Sequence, residues 1–276
     1  MKIAYLGPEA SFSHLAAKNI FSQAKNAFVS VDAIADIFKL VKNHRADYGV
    51  VPVENSNAGS VWQTLDAFSE KNFKLQITQE YFLDIKFQFL SQENNPKKIK
   101  LIYANPMALA QCQKWLKKNF PKTKIEQVAS NSLAARKTAE NQQTAALGTA
   151  ESAETYNLHI LANDIQDYQI NITRFLVISQ KIAKPSGRDK TSLLFTLKHV
   201  PGSLYTALGA LAKKNINMTK IESRNIKMSQ WEYHFFIDIE GHAQNNLIKE
   251  ALKEMKKSCL DFKILGSYPR GESPWS

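Results

Sequence analysis

Residues 171–179 read Asn171-Ile172-Thr173-Arg174-Phe175-Leu176-Val177-Ile178-Ser179. The second half of this stretch is a run of four apolar residues, two of them β-branched, which predicts a buried strand. The two-residue period of a strand places Thr173 and Phe175 on one face and Arg174 on the other. A guanidinium stays charged, so it needs an anion or several acceptors wherever it is covered. Taken alone, the stretch is also compatible with an ordinary strand threonine and a surface arginine.

The overall composition is typical of a globular protein of one or two domains. The chain has 276 residues, of which 44% are hydrophobic and 22% are charged, and this length is ample for a core. No stretch approaches the ~20 consecutive apolar residues of a membrane helix. Residues 1–8, MKIAYLGP, form too short an apolar run for a signal peptide. We therefore expect a cytoplasmic protein with no membrane partner.

The formal charge of +11 is compatible with a nucleic acid, an acidic surface or a small anion as partner. The lysines are scattered in short groups such as 97–98 and 117–118, which favours a solvated basic surface. The two cysteines, Cys112 and Cys259, have no metal-ligand spacing and fall on the apolar faces of predicted helices. We expect both to be small core residues, and we expect no metal site.

The first half of the chain alternates between predicted strands and helices, which indicates an α/β domain. A strand over residues 2–6 leads through a turn to a helix with Ser11 or Ser13 as its N-cap, and a helix N-terminus of this kind suits an anion. A third strand, 48–53, is followed by the polar residues 54–60, at the strand end where α/β sheets bind ligands. The alternative for this segment is a turn whose side chains bond their own backbone.

The segment after that turn has the spacing of a capping box, Ser60 with Gln63, which predicts a helix from Val61. A second α/β unit follows over residues 83–158. Two α/β lobes joined by crossing strands form a cleft, and clefts between lobes are common ligand sites.

Residues 184–188, KPSGR, have the composition of a linker. Beyond them the pattern becomes β-α-β-β-α-β, a ferredoxin-like unit of typical domain size. The predicted domains are therefore residues 1–182 and 190–276, with few contacts crossing the linker. Gly202 lies before a helix N-terminus in the second domain, where free N–H groups suit the carboxylate of an amino acid.

Four short motifs follow one another along the chain: residues 7–13 (GPEASFS), 51–56 with Gly59 (VPVENS), 145–148 (AALG) and 171–175 (NITRF). Together they resemble the motifs of the prephenate dehydratase family, in the family's order and over nearly the whole chain. The C-terminal unit resembles an ACT domain, the phenylalanine sensor of that family. Ala10 departs from the family pattern because a glycine is usual there, and Asn225 departs from it because a proline is usual there.

The resemblance implies a two-lobed α/β catalytic domain, similar to type-2 periplasmic binding proteins, followed by a ferredoxin-like ACT domain. It implies a monofunctional lyase that converts prephenate to phenylpyruvate in phenylalanine biosynthesis, with no cofactor and no metal. The catalytic residues implied are Thr173, Arg174 and Phe175, with the Thr173 hydroxyl assisting the leaving hydroxide. The role of Arg174 stays open between binding a carboxylate and bracing the cleft. The substrate-binding residues implied are Ser11, Phe12, Ser13, Glu54, Asn55, Ser56, Gly59 and Gln111.

The ACT resemblance implies L-phenylalanine as an effector that inhibits the enzyme. The residues implied for that site are Gly202, Ser203, Leu204, Asn217, Glu222, Ser223 and Arg224. Ferredoxin-like units leave edge strands open, so we expect a homodimer or homotetramer formed through residues 190–276.

Three alternatives remain at this point. Arogenate dehydratase differs only by an amino group on the substrate side chain, and no residue decides between the two substrates. A non-catalytic solute sensor is compatible with a two-lobed cleft and an ACT unit, but the strand at Thr173 favours the enzyme. An RNA-binding unit would need a basic and aromatic strand signature, which residues 233–237, YHFFI, match poorly.

Overall fold

The computed structural model describes residues 1–22, 25–70, 73–225 and 233–272. The first lobe contains β1 (Lys2–Leu6), α1 (Phe12–Ile20), β2 (Ala27–Val31), α2 (Ile34–Lys42), β3 (Tyr48–Asn55), β4 (Gly59–Ser60), α3 (Trp62–Phe68), β5 (Gln76–Asp84) and, much later in the chain, β11 (Ile172–Ser179). Its sheet has the order β2-β1-β3-β11-β5, with β4 paired to β3. The strand predicted at Thr173 therefore lies inside this sheet, antiparallel to β3 and to β5.

The second lobe is the α/β unit expected between the two crossing strands. It contains β6 (Gln88–Ser91), a 3₁₀ turn (Pro96–Lys98), β7 (Leu101–Ala104), α4 (Pro106–Gln111), α5 (Gln113–Asn119), β8 (Lys124–Gln127), α6 (Asn131–Glu140), β9 (Thr144–Gly148), α7 (Ala150–Tyr156) and β10 (His159–Ala162). The sheet order is β10-β6-β9-β7-β8. One apolar cluster joins the two lobes, since Ile3 and Phe175 of the first lobe belong to the same core as Phe89 and Ile102 of the second.

The C-terminal unit is ferredoxin-like, as expected. It contains β12 (Asp189–Leu197), α8 (Ser203–Ala212), β13 (Met218–Asn225), β14 (Tyr233–Glu240), α9 (Asn246–Lys257) and β15 (Cys259–Pro269), and its sheet has the order β13-β14-β12-β15. Both helices pack on one face of the sheet around Leu193, Phe195 and Ile237. Residues 226–232 and 273–276 of the predicted second domain lie outside the described residues.

The second face of that sheet packs on the catalytic domain, and the expectation of few contacts across the linker is wrong. Leu194, Phe236 and Leu265 belong to one apolar cluster with Phe68 and Leu176 of the first lobe, among others. The physical reason is that an apolar sheet needs cover on both faces, and every residue of β12 is buried. Strand β15 approaches β5 so closely that a Cβ added at Gly266 would collide with the backbone of Ile77.

The cysteines differ from their predicted positions. Cys112 is buried between α4 and α5, whereas Cys259 begins β15 and does not lie on a helix; both are free thiols. Burial raises the pKa of Cys112 to about 12. None of the helices formed by the described residues is long and apolar enough to cross a membrane.

Candidate active site

A cleft of about 620 Å³ lies between the two lobes. Its wall includes residues at the first turns or N-caps of five helices, α1, α2, α3, α4 and α6. Apolar side chains, among them Phe12, Ile85 and Phe87, form part of this lining. The polar side chains in it are mostly uncharged: Asn55, Ser60, Gln63, Asn105, Gln111, Asn131 and Thr173, with the exposed Asp32 at the rim. No lysine or arginine is among the described residues that line this cleft. Helix N-termini place positive partial charges at this wall.

Thr173 lies in this cleft, held by Asn55 from the neighbouring strand. The two residues are opposite each other in the β3–β11 ladder, and Asn55 Nδ2 donates to Thr173 Oγ1 at 2.9 Å. Asn55 Oδ1 accepts from the backbone N–H groups of Asn57 and Ala58, which fixes the orientation of the amide. Because Oγ1 of Thr173 accepts from Asn55, its own proton is directed elsewhere.

The same network continues into the second lobe. Asn55 Nδ2 also lies 3.0 Å from Asn171 Oδ1, and Asn171 Nδ2 donates to Gln111 Oε1 at 2.7 Å. Gln111 ends α4 and lines the cleft. Four side chains from three separate segments therefore hold one another, and their hydrogen bonds fix the position of the Thr173 hydroxyl.

Arg174 points away from the cleft, into the interface between the two domains. Only 3% of its side chain is exposed. It contacts Glu80 at 2.7 Å, Glu54 at 2.9 Å and Asp238 at 2.6 Å, and it donates to Tyr268 Oη at 3.0 Å. Asp238 and Tyr268 belong to the C-terminal domain. Of the two roles left open by the sequence, the geometry favours bracing over direct contact with a substrate.

The buried charges of this interface stabilise one another. Burial opposes the charge of Arg174, but the acidic groups around it, Asp238 first, raise its pKa well above the usual value. Burial also opposes the ionisation of Glu54 and Asp238, yet Arg174 lowers the pKa of both carboxyls. Burial raises the pKa of Tyr268 well above its usual value, so it stays a neutral phenol. The cluster therefore remains charged and paired at neutral pH.

The turn of residues 7–13 is held by side chains on both sides of it. Ala10 has a φ of 60°, the left-handed conformation that explains why a glycine is usual there. Its N–H donates to His14 Nδ1 at 3.1 Å, and its carbonyl accepts from Thr149 at 3.1 Å and from Ser152 at 3.2 Å. Burial lowers the pKa of His14, which keeps its ring neutral and able to accept. This turn places Phe12 in the wall of the cleft.

The structure separates the residues implied for catalysis and substrate binding into two groups. Those that line the cleft are Thr173, Phe12, Asn55, Gly59 and Gln111. The others are not among the lining residues: Arg174 and Glu54 lie at the domain interface, Phe175 is packed in the core, Ser11 caps α1, Ser13 is buried in the first turn of α1, and Ser56 Oγ accepts from Ile172 N–H.

The residues implied for phenylalanine binding also fall in different places. Ser203 and Leu204, next to Gly202, line a pocket of about 360 Å³ with Tyr233 and Phe235. The remaining residues belong to β13 or the loop before it: Asn217 precedes the strand, Ser223 is exposed, and Glu222 and Arg224 face the catalytic domain. One chain therefore does not bring all seven residues together.

Sequence reasoning missed several residues of the cleft. Asn105 caps α4 and donates to the carbonyl of Ala129, whereas Asn131 begins α6 and its buried Oδ1 has no hydrogen-bond partner. The predicted capping box is wrong, because Ser60 Oγ donates to Glu222 in the other domain. An Asn before a helix predicts an N-cap from the sequence. That it also lines the cleft depends on tertiary packing, which its position along the chain does not show.

The fold and the cleft together define a two-lobed α/β domain with a cleft between its lobes, followed by a ferredoxin-like unit. No group of three His, Cys, Asp or Glu side chains within the described ranges is arranged to hold a metal ion.

The family model for prephenate dehydratase matches residues 3–183, and the model for the ACT domain matches residues 191–256. The chain is 44% identical over 270 residues to the bifunctional chorismate mutase/prephenate dehydratase of Aquifex aeolicus (strain VF5), covering 98% of this chain and 74% of that protein. The chain belongs to the prephenate dehydratase family.

Two solved structures are similar over nearly the whole chain. One is a prephenate dehydratase from Arthrobacter aurescens in complex with L-Phe, with a TM-score of 0.90 and 28% identity, covering 98% of this chain and 90% of that one. The other is described as a novel type of quorum-quenching acylase, with a TM-score of 0.86 and 28% identity, covering 100% and 99% of the two chains. Because one fold hosts more than one reported activity, the function has to be argued from the cleft.

Proposed function

We propose that the chain catalyses the decarboxylative dehydration of prephenate to phenylpyruvate in the synthesis of phenylalanine. The observation that carries this proposal is the hydrogen bond from Asn55 Nδ2 to Thr173 Oγ1. It leaves the threonine proton free to point into a cleft of the right size for a small ring. A hydroxyl held in this way donates to a leaving hydroxide without ionising itself first.

The substrate is a dianion, and the cleft supports its binding through helix N-termini. Backbone N–H groups in a first helical turn have no intrahelical partner and favour a carboxylate. The five helices that begin at the cleft supply such groups on both lobes. Phe12 and Phe87, in edge-to-face contact at 5.3 Å, offer an apolar wall for the ring.

The reaction consists of one coupled elimination. The bond between the ring and its carboxylate breaks and releases carbon dioxide, and the electron pair moves through the ring and expels the hydroxyl group at the opposite carbon. Thr173 donates a hydrogen bond to the departing group and relays a solvent proton to it, so the group leaves as water and the threonine stays a neutral hydroxyl. Aromatisation supplies the driving force, so the protein contributes position and one hydrogen bond.

The test is to incubate the purified chain with prephenate and to measure phenylpyruvate by its ultraviolet absorbance in alkali. We expect turnover that the Thr173→Ala variant lacks. If the folded chain binds prephenate and releases no phenylpyruvate, it is a solute sensor and the proposal is wrong.

Arogenate is a second candidate substrate, and Asp32 favours it. Asp32 is the acidic side chain at the rim of the cleft, and a carboxylate there would attract the ammonium group that distinguishes arogenate. We expect Asp32→Asn to lower kcat/KM for arogenate more than for prephenate. Equal effects on the two substrates would remove Asp32 as a reason to consider arogenate.

We also propose that phenylalanine inhibits the enzyme from the C-terminal domain. The pocket beside Ser203 and Leu204 supports this, because Tyr233 and Phe235 can pack on an aromatic ring and α8 begins there with Gly202 at a φ of 81°. Calorimetry on the intact protein tests the site. No binding at millimolar phenylalanine would mean that the domain is no longer a sensor.

Assembly and location complete the proposal. β13 is an edge strand of its sheet, and unpaired backbone groups of such a strand support pairing between copies into a homodimer or homotetramer. Light scattering on the purified protein would decide, and a monomer would contradict it. Two free thiols support a cytoplasmic location.

A further inference from the structure

One face of β13 is fastened to the wall of the catalytic cleft. Burial alternates along this strand, and the partly buried side chains from Lys220 to Arg224 face the catalytic domain. Three of these side chains make polar contacts there: Lys220 pairs with Glu54, Glu222 accepts from Ser60 Oγ at 2.6 Å, and Arg224 binds both oxygens of Asp66 at 2.7 and 3.0 Å. The guanidinium of Arg224 also lies 4.7 Å from the ring centre of Trp62.

The partners of these three side chains belong to one wall of the cleft. Glu54 pairs with Ser60 and Asn55 pairs with Gly59 in the short β3–β4 ladder. Gly59, Ser60 and the N-cap of α3 line the cleft, and Asp66 lies one turn further along α3. The side chains of β13 therefore contact both the β3–β4 hairpin and α3, the two elements that form this wall.

The backbone of β13 is bonded to the strand that lines the proposed effector pocket. Asn225 pairs with Tyr233, and Ser223 pairs with Phe235. Tyr233 and Phe235 are both lining residues of that pocket. One strand thus contacts the effector pocket through β14 and the substrate cleft through its own side chains.

We propose that β13 transmits phenylalanine inhibition to the cleft through its contacts with Glu54, Ser60 and Asp66. The inference rests on the proposed function, because it requires an enzyme that phenylalanine inhibits. It also assigns Glu222 and Arg224 a role different from direct effector binding, since their polar groups face the catalytic domain. An effector that binds the less active arrangement more tightly shifts the strand, and the strand carries the hairpin with it.

Asp66→Asn in the full-length chain is the decisive variant. It removes the charge that holds Arg224 but changes neither the effector pocket nor a residue lining the cleft. The quantity to measure is kcat/KM for prephenate without phenylalanine divided by kcat/KM with saturating phenylalanine. A coupling of this kind is typically ~5–150-fold, and we expect the ratio to fall toward about one. The Kd for phenylalanine, from calorimetry without substrate, is expected to stay within about threefold.

Ser60→Ala gives a second, independent measurement, because it removes the donor to Glu222; its ratio should fall as well. Glu250→Gln is the matched control, since it removes the exposed Lys214–Glu250 pair on the helical face of the same domain. The Glu250→Gln control should show the same ratio of kcat/KM without and with phenylalanine as the unchanged chain.

Two outcomes separate this inference from the function on which it rests. If the unchanged chain converts prephenate but shows no inhibition, the regulatory part of the proposed function is wrong and this inference is wrong with it. If the unchanged chain is inhibited and Asp66→Asn and Ser60→Ala are inhibited equally well, the function stands and the role of β13 is overturned. Loss of phenylalanine binding in Asp66→Asn would also overturn it, because Arg224 would then belong to the effector site.

Discussion

Two neighbouring pairs of one ladder face opposite sides of the same sheet. Asn55 and Thr173 face the cleft, whereas Glu54 and Arg174 face the C-terminal domain. The cleft pair is neutral and linked by a single directed hydrogen bond, and the interface pair is charged and buried among further charges. The difference teaches that the arginine next to Thr173 in the motif belongs to the joint between the domains, where a buried cation has the partners that it needs.

The largest effect on stability is expected from Asp238→Ala. It leaves Arg174 buried without its contact at 2.6 Å from the C-terminal domain, and breaking a buried pair typically costs about 3–5 kcal/mol. The measurement is the free energy of unfolding in urea. The control is Glu250→Ala, which breaks an exposed pair with Lys214 and should cost less than about 1 kcal/mol. Similar costs for both variants would show that the interface cluster contributes nothing special.

The next effect concerns the cleft pair. Asn55→Asp keeps the acceptor for the Asn57 and Ala58 N–H groups, but it replaces the donor to Thr173 by a second acceptor. The Thr173 proton then turns toward the new carboxylate, and we expect kcat to fall by about 10–10²-fold.

Asn57→Asp adds the same charge to the same turn without contacting Thr173, so it controls for repulsion of the dianion. If both variants lower kcat equally, the direction of the hydrogen bond is not what matters.

A chain that ends at residue 182 keeps the cleft face of the sheet and removes the C-terminal domain that covers the other face. Every residue that lines the cleft lies between Leu6 and Thr173, so we expect kcat within about tenfold of the full chain. The truncated chain should unfold at a lower temperature, because Leu176 and Phe68 lose their cover. Phenylalanine should have no effect on it. A truncated chain that is folded yet inactive would show that the cleft depends on the second domain.

The smallest expected effect is a pH dependence at the turn beside the cleft. The pKa of His14 is lowered in the folded state, so below its usual value the unfolded chain binds more protons than the folded one. Stability from this residue is therefore complete above that value and is lost as the pH falls. We expect His14→Gln, which still offers an acceptor to Ala10, to flatten the decrease in unfolding free energy between pH 7.5 and 5.5. An unchanged pH profile would contradict this role.

Local patterns were sufficient to predict most elements and the two faces of β11. The alternation of Thr173 and Arg174 followed from the strand period, and Ser11 caps α1 as one of the two candidates. The partners of these side chains could not be predicted from the sequence. Asn171 contacts Gln111 from another lobe, and Arg174 contacts Asp238 from another domain. Such contacts depend on tertiary packing and not on spacing.

The capping-box prediction failed for the same reason. Ser60 and Gln63 have the correct local spacing. However, strand β13 brings Glu222 to the Ser60 hydroxyl, and Ser60 Oγ bonds to this carboxylate and does not cap α3. A capping pattern in the sequence considers only hydrogen-bond partners that are close along the chain. Where two domains meet, a charged acceptor from the other domain competes with the backbone and changes the role of the residue.

The central claim is that the Thr173 hydroxyl donates a hydrogen bond to the leaving group in the transition state. The most direct measurement is kcat for prephenate in Thr173→Ala and Thr173→Ser, with circular dichroism to confirm that both are folded. We predict that Thr173→Ala loses at least ~10²-fold in kcat with little change in KM, because it removes an interaction made in the transition state. Thr173→Ser keeps a hydroxyl and should stay within about tenfold. A folded Thr173→Ala protein with near-normal kcat would contradict the account.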